Sequence, residues 1–283
     1  MRLARNWAPD NWADSLPSAL GVSVAPVDLY AVARHRRVKR LGLRFMVPRA
    51  MLIPVDGGFE VYLRDPNRKD CDISEAEPAG LLTPHQRFSL AHEIAHTLFY
   101  KFSEPIPTPD PAIQNARTLE DKCDEVAGQI LIPTALLKGK IERQLGDREK
   151  IDASFILSAA ADFRTSLEVT IERLRFVESS NPFQRCILLA RRVNGDAEIR
   201  RLYFGVGLLS VLPRPRKYTR VTDWLADFPR RAIDRRENDH WTLTRMGHSV
   251  AFTKTELGSG SQFLLEASVT ESPQMVEQRN AAP

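Results

Sequence analysis

Thr83-Pro84-His85-Gln86-Arg87-Phe88-Ser89-Leu90-Ala91-His92-Glu93-Ile94-Ala95-His96 is the stretch on which the fold turns. Thr83 reads as a helix N-cap, Pro84 as the first helical residue and Gln86 as the partner that closes a capping box. From Phe88 to Tyr100 no Gly or Pro interrupts the chain, and Phe88, Leu90, Ala91, Ile94, Ala95, Leu98 and Phe99 predict a helix buried nearly all round. At 3.6 residues per turn, His92 and His96 stack on one face, with Glu93 on its flank. Two imidazoles four apart can hold one ion, and a carboxylate beside them can reach a water on that ion. The plainer alternative is a pair of hydrogen-bonded core histidines. Polar groups on a buried helix are costly unless paired or bound, and the glutamate between the two histidines weighs for the ion.

A zinc site of this kind needs a third protein ligand. The segment Leu119-Glu120-Asp121-Lys122-Cys123-Asp124-Glu125-Val126-Ala127-Gly128-Gln129-Ile130-Leu131-Ile132 predicts a second buried helix, with Val126, Ala127 and Ile130 at helical spacing and Pro133 as terminator. Glu120 and Asp124 share a face, which allows Glu120 to bind the metal and Asp124 to accept the free N–H of a ligating histidine. Cys123, Asp124 and Glu125 are the rivals for the third place. Cys123 reads as a small buried apolar residue, Glu125 as a solvated charge, and Glu120 is the choice. The Glu-x-x-x-Asp spacing resembles the third-ligand helix of the gluzincin peptidases.

The whole run resembles the ImmA/IrrE family of metallopeptidases. The family's Arg-aromatic-Ser/Thr-Leu/Ile-Ala-His-Glu-Leu/Ile-Gly/Ala-His stretch reads here as Arg87 to His96. Its Glu-x-x-Ala/Cys-Asn/Asp-x-aromatic-Ala helix reads as Glu120 to Ala127, followed by Leu131-Ile132-Pro133. Val126 departs from the usual aromatic, a difference of packing rather than chemistry. The resemblance implies a mainly helical, zincin-like peptidase core with a small sheet. It also implies a protein substrate, often a helix-turn-helix, DNA-binding transcriptional repressor, and a link to transcription regulation and stress response.

The chemistry expected of the site follows from its residue types. Glu93, acceptor-only when ionised, takes a proton from the attacking water and returns it to the leaving amine. The ion is expected to be Zn2+, although Mn2+ or Fe2+ could use the same nitrogen and oxygen ligands. An oxyanion donor is needed as well. Tyr100, four residues after His96, and His85, seven before His92, lie near the ligand face and are the candidates for oxyanion or substrate contact. The plainer readings are an aromatic anchor for Tyr100 and a first-turn surface residue for His85. The rival function is a regulatory or transcription-linked binding protein that keeps the metal site with little turnover.

Composition sets outer bounds. The chain has 283 residues, 43% apolar and 27% charged, with net charge +4, as in a globular protein of one large or two ordinary domains. No apolar run approaches the roughly 18 to 20 residues of a membrane span. The N-terminus has no apolar signal core, and Cys71, Cys123 and Cys186 form no disulfide framework, which suits the cytoplasm. The basic clusters Arg34 to Arg40 and Arg214 to Arg220 could meet phosphates or an acidic partner, but solvated surface is the simpler reading.

The expected class is α+β, divided as an N-terminal arm (1–25), a peptidase core (26–150), a helix pair (151–180), a C-terminal α+β domain with an antiparallel sheet (181–270) and a disordered tail (271–283). Within the core, a helix over 27–40 should precede short strands at 44–47 and 59–63, with Asp56-Gly57-Gly58 as a turn. The prolines at 105, 107, 109 and 111 predict an irregular connection between the ligand-bearing helices. In the pair, Ala153 to Asp162 precedes a helix capped by Thr165, with Glu168 in capping-box position. It is helix-turn-helix-like, yet Glu168 and Glu172 offset Arg173 and Arg175, so direct nucleic-acid binding is not favoured. Beyond Asn181-Pro182 the pattern becomes period two, with strands at 186–193, 199–204, 241–245, 249–254 and 262–269, a turn at Asn194-Gly195 and a helix at 221–228. His240 and His248 have no ligand-like partners in that pattern.

Overall fold

The computed structural model describes residues 15, 19–65, 71–73, 82–111, 116–145, 151–177, 185–194, 196–204, 233–237, 240–245, 248–257 and 262–271. The chain divides into two compact units, one of Met1–Glu142 with Ala159–Ser166, the other of Arg143–Ser158 with Leu167–Pro283. The expected helix at 221–228, the basic cluster at 214–220, Gly195 and the tail after residue 271 lie outside the described residues, as does most of the N-terminal arm. The class is α+β, as expected.

In the first unit, helix α1 (Leu29–His35) is capped by Asp28, whose Oδ1 accepts from Tyr30 N at 2.9 Å. The sequence pattern carries this helix to residue 40, but the structure ends it at His35. Arg37 turns the chain with φ +61°, and Val38–Arg44 becomes strand β1. The reason is tertiary. β1 pairs in parallel with β3 (Gly58–Arg64), Leu41 opposite Val61 and Leu43 opposite Leu63, and these four side chains are buried. Strand pairing there outweighs the local helical spacing.

β2 (Ala50–Val55) and β3 form a hairpin closed by Asp56-Gly57, where Gly57 takes φ +64°, a conformation glycine adopts without steric cost. With β4 (Cys71–Ile73) antiparallel to β1, the sheet order is β2-β3-β1-β4. Gly58 stands where the chain leaves the turn, and a Cβ there would lie 2.2 Å from the Arg37 carbonyl oxygen. Gly58→Ala must therefore displace the backbone of the β1–β3 junction. Denaturant unfolding should show a loss of about 2 to 3 kcal/mol, the cost of overpacking a filled site.

Helix α2 (Pro84–His96) begins as the sequence predicts. Thr83 Oγ1 accepts from Gln86 N (3.2 Å) and Gln86 Oε1 accepts from Thr83 N (3.0 Å). It is not buried all round. Leu90, Ala91, Ile94 and Ala95 are fully covered, while Phe88, His92, Glu93 and His96 form a half-buried flank. A 3-10 turn (Thr97–Phe99) ends it, and β5 (Tyr100–Lys101) pairs with β6 (Thr108–Pro109) within the proline-rich connection. α3 (Ala116–Leu131) packs against α2, burying Cys123, Val126, Ala127 and Ile130.

Helices α4 (Thr134–Leu145), α5 (Ala153–Phe163) and α6 (Leu167–Val177) follow. α6 begins two residues beyond Thr165, with Arg164 at φ +52° in the turn before it. On α6, Arg173 is buried and Arg175 pairs with Glu172 at 2.9 Å.

In the second unit, β7 (Arg185–Val193), β8 (Asp196–Phe204), β9 (Ile233–Glu237), β10 (His240–Arg245), β11 (His248–Leu257) and β12 (Gln262–Glu271) form one antiparallel sheet of order β8-β7-β12-β11-β10-β9. β9 is absent from the sequence pattern, since Ile233-Asp234-Arg235-Arg236-Glu237 has a single apolar residue. At the sheet's centre Leu188, Leu189 and Ala190 lie opposite Leu265, Leu264 and Phe263, all buried. Among the described residues no helix is long and apolar enough to cross a membrane.

Candidate metal centre

Among the described residues, two packed helices supply the charged groups that converge at the site. α2 presents His92, Glu93 and His96 on its half-buried flank, and α3 presents Glu120 and Asp124 one turn apart. The small residues Ala91, Ala95 and Ala127 are fully covered, and short side chains in such faces let two helix backbones approach closely.

His92 Nδ1 lies 2.8 Å from Asp124 Oδ1. A carboxylate only accepts, so Nδ1 carries the proton and Nε2 of the neutral ring presents a lone pair. That Nε2 stands 3.0 Å from His96 Nε2 and 3.1 Å from Glu120 Oε2, and His96 Nε2 stands 3.4 Å from Glu120 Oε1. One donor atom from each of His92, His96 and Glu120 lies within 4.8 Å of the others. Three such atoms presenting lone pairs repel one another unless a cation or a shared proton lies between them. Donors at 2.0–2.1 Å from a tetrahedral zinc stand about 3.3 Å apart, close to the separations here. The donor set therefore fits a zinc ion.

Protonation of the ion-free residues follows the same logic. Burial works against charge on His92, but the hydrogen bond and charge of Asp124, with Glu93 and Glu120, raise its pKa above the ordinary value. His96 moves the opposite way, lowered first by burial and then by His92.

Glu93 is pushed up from 4.5 to about 6, mainly by burial, with Glu120 adding and His92 opposing. Among the described residues no group donates a hydrogen bond to it. Its folded pKa exceeds its unfolded one, so the ion-free protein loses stability as pH rises from about 4.5 to about 6, on the order of 2 kcal/mol. Ion-free Glu93→Gln should accordingly melt above ion-free wild type at pH 7.5. Thermal scans in chelator should show the two curves converging near pH 4.5.

The remaining candidates fall elsewhere. Cys123 is fully buried, and burial followed by the charges of Glu120, Glu93 and Asp124 keeps its thiol protonated. Glu125 is half-buried and paired with Lys122 at 2.9 Å. Tyr100 sits just past the helix end, edge-on to Phe59 with ring centroids 5.2 Å apart, and burial followed by Glu93 raises its pKa. His85 is exposed on the first turn of α2, about 10 Å along the helix axis from His92.

Two arginines carry more than the sequence pattern suggests. Arg87 is fully buried and donates from Nη2 to the Val27 carbonyl (2.9 Å), tying α2 to the segment before α1. An arginine inside an otherwise apolar helical run is the signal that would have marked it. Arg36 reads in the sequence as one charge of a solvated basic run, yet it donates twice to Thr97.

Residues 80–175 match the family model described as Peptidase_M78, IrrE N-terminal-like domain. No match is found among the curated proteins. Of solved structures, a Mycobacterium tuberculosis transcriptional regulator is similar, at 13% identity and a TM-score of 0.45, with 92% of this chain and 74% of that one covered.

Proposed function

We propose that this chain, whose residues 80–175 match the IrrE N-terminal-like domain model, is a zinc-dependent endopeptidase of the cytoplasm that cleaves a specific protein. The observation that carries the reading is the convergence of His92, His96 and Glu120 beside the unpaired carboxylate of Glu93. His92, His96 and Glu120 hold the ion, and Asp124 fixes the His92 ring through Nδ1. When bound, zinc supplies Lewis-acid chemistry, acidifying water and polarising the scissile carbonyl.

Glu93 performs the proton work. It accepts a proton from the attacking water and delivers it to the amine that leaves. Its burial, which disfavours the anion, makes it a stronger base than an exposed glutamate. Tyr100 is the candidate oxyanion donor, because burial and the nearby Glu93 charge both keep its hydroxyl protonated. His85 is assigned to contact with a substrate residue away from the scissile bond.

For the substrate we take a DNA-binding repressor of the helix-turn-helix type, supported by the resemblance to the ImmA/IrrE peptidases. The test combines metal and target. Native protein should contain about one zinc per chain by elemental analysis, and incubation with such regulators should yield discrete fragments. Chelator should stop cleavage and added zinc restore it. Protein without transition metal that also takes up none when offered would end the proposal.

A further inference from the structure

The last turn of α2 carries His96 and is held by a residue from another element. Arg36 is the C-cap of α1, its backbone N–H donating to Val32 and Ala33 carbonyls. Its side chain crosses to the end of α2, where Nε donates to Thr97 Oγ1 (3.0 Å) and Nη2 to the Thr97 carbonyl oxygen (3.0 Å). Thr97 is fully buried and its hydroxyl donates onward to the Ile94 carbonyl (2.6 Å). One guanidinium thus grips both the side chain and the main chain of the residue directly after His96.

The electrostatics favour this grip. Unsatisfied carbonyls make a helix C-terminus negative, and a cation there is stabilising. The planar fork of Arg fixes direction as well as charge, which a lysine ammonium does not. The base of the fork is itself fixed, because the Arg37 carbonyl accepts from Phe59 N (3.0 Å) where β3 begins. The route runs through hydrogen bonds and adjacent residues from the sheet through Arg36 and Thr97 to His96. Metal donors need placement within about 0.5 Å, and a helix end free to fray does not give that.

We infer that Arg36, acting through Thr97, is a positioning residue for the metal ligand His96. The inference rests on the metal-site reading above. Its test is zinc affinity by chelator competition at pH 7.5 in Arg36→Ala, Arg36→Lys and Thr97→Val, with thermal melting of each ion-free protein alongside. Arg40→Ala, which removes an exposed ion pair with Asp72 on the same sheet, is the control.

Arg36→Ala and Thr97→Val should bind zinc about tenfold more weakly, the low end for residues that orient a metal ligand. Arg36→Lys should recover part of the loss, and Arg40→Ala should match wild type. With Co2+ in place of zinc, the visible band of the first two variants should shift, since it reports donor geometry. Variants that melt lower yet bind zinc as wild type does, with an unchanged Co2+ band, would show a purely structural clamp and overturn the inference. If Arg36→Ala does not fold, Arg36→Lys and Thr97→Val decide by the same criteria. Wild type that takes up no zinc overturns the metal reading itself, a result distinct from tight wild-type binding with unaffected variants.

Discussion

Glu93→Gln should keep zinc at wild-type affinity and lose peptide cleavage by about 10³-fold, within the range that general acid–base groups contribute. The side chains are isosteric, and Glu93 is not among the three converging donors, so the site should stay assembled. What disappears is the carboxylate proposed to accept the proton of the attacking water. An amide cannot take that proton at any useful pH. In the zinc-free protein the same substitution removes a buried carboxylate whose pKa is pushed up to about 6, and the variant should then be the more stable of the two. Loss of cleavage together with gain of apo stability distinguishes a lost base from a damaged fold. If regulation of a partner survives Glu93→Gln unchanged, the protein works by binding and the metal serves structure or signalling.

Much of the site was legible because its spacing is short-range and helical. His92 and His96 at i and i+4, and Glu120 and Asp124 at i and i+4, each name a face from local sequence alone. Thr83 and Gln86 mark the helix start with equal economy, and both capping bonds are present. What local sequence cannot carry is long-range pairing. Val38-Lys39-Arg40 continues a helical pattern, yet it is strand because β3, some twenty residues on, offers an apolar partner in parallel register. β9 is mostly charged and is strand through its pairing with β10. Arg36 shows the same limit at the level of one side chain. Within its own segment it is one of six basic residues among seven, and its partner Thr97 lies 61 positions away.

The second large effect separates the two carboxylates of α3. Glu120→Ala should weaken zinc by more than a hundredfold, because it removes one of three proposed protein donors and leaves two imidazoles on a half-buried flank. Asp124→Asn should weaken it less, by about 10- to 100-fold, the range for groups that hold a ligand rather than bind the ion. The asparagine can still accept from His92 Nδ1 through its amide oxygen, but without the charge that raises imidazole basicity. The two also differ in pH dependence. Zinc must displace a proton from His92, whose pKa Asp124 holds above the ordinary value through its hydrogen bond and charge, against the opposing effect of burial. Wild-type affinity should therefore fall with acid about tenfold per pH unit below the His92 pKa. In Asp124→Asn that fall should begin at lower pH, since the imidazolium has lost its partner. Competition titrations from pH 5.5 to 8 measure both quantities. An Asp124→Asn loss larger than that of Glu120→Ala would reassign the third ligand to Asp124 and require His92 to turn its ring.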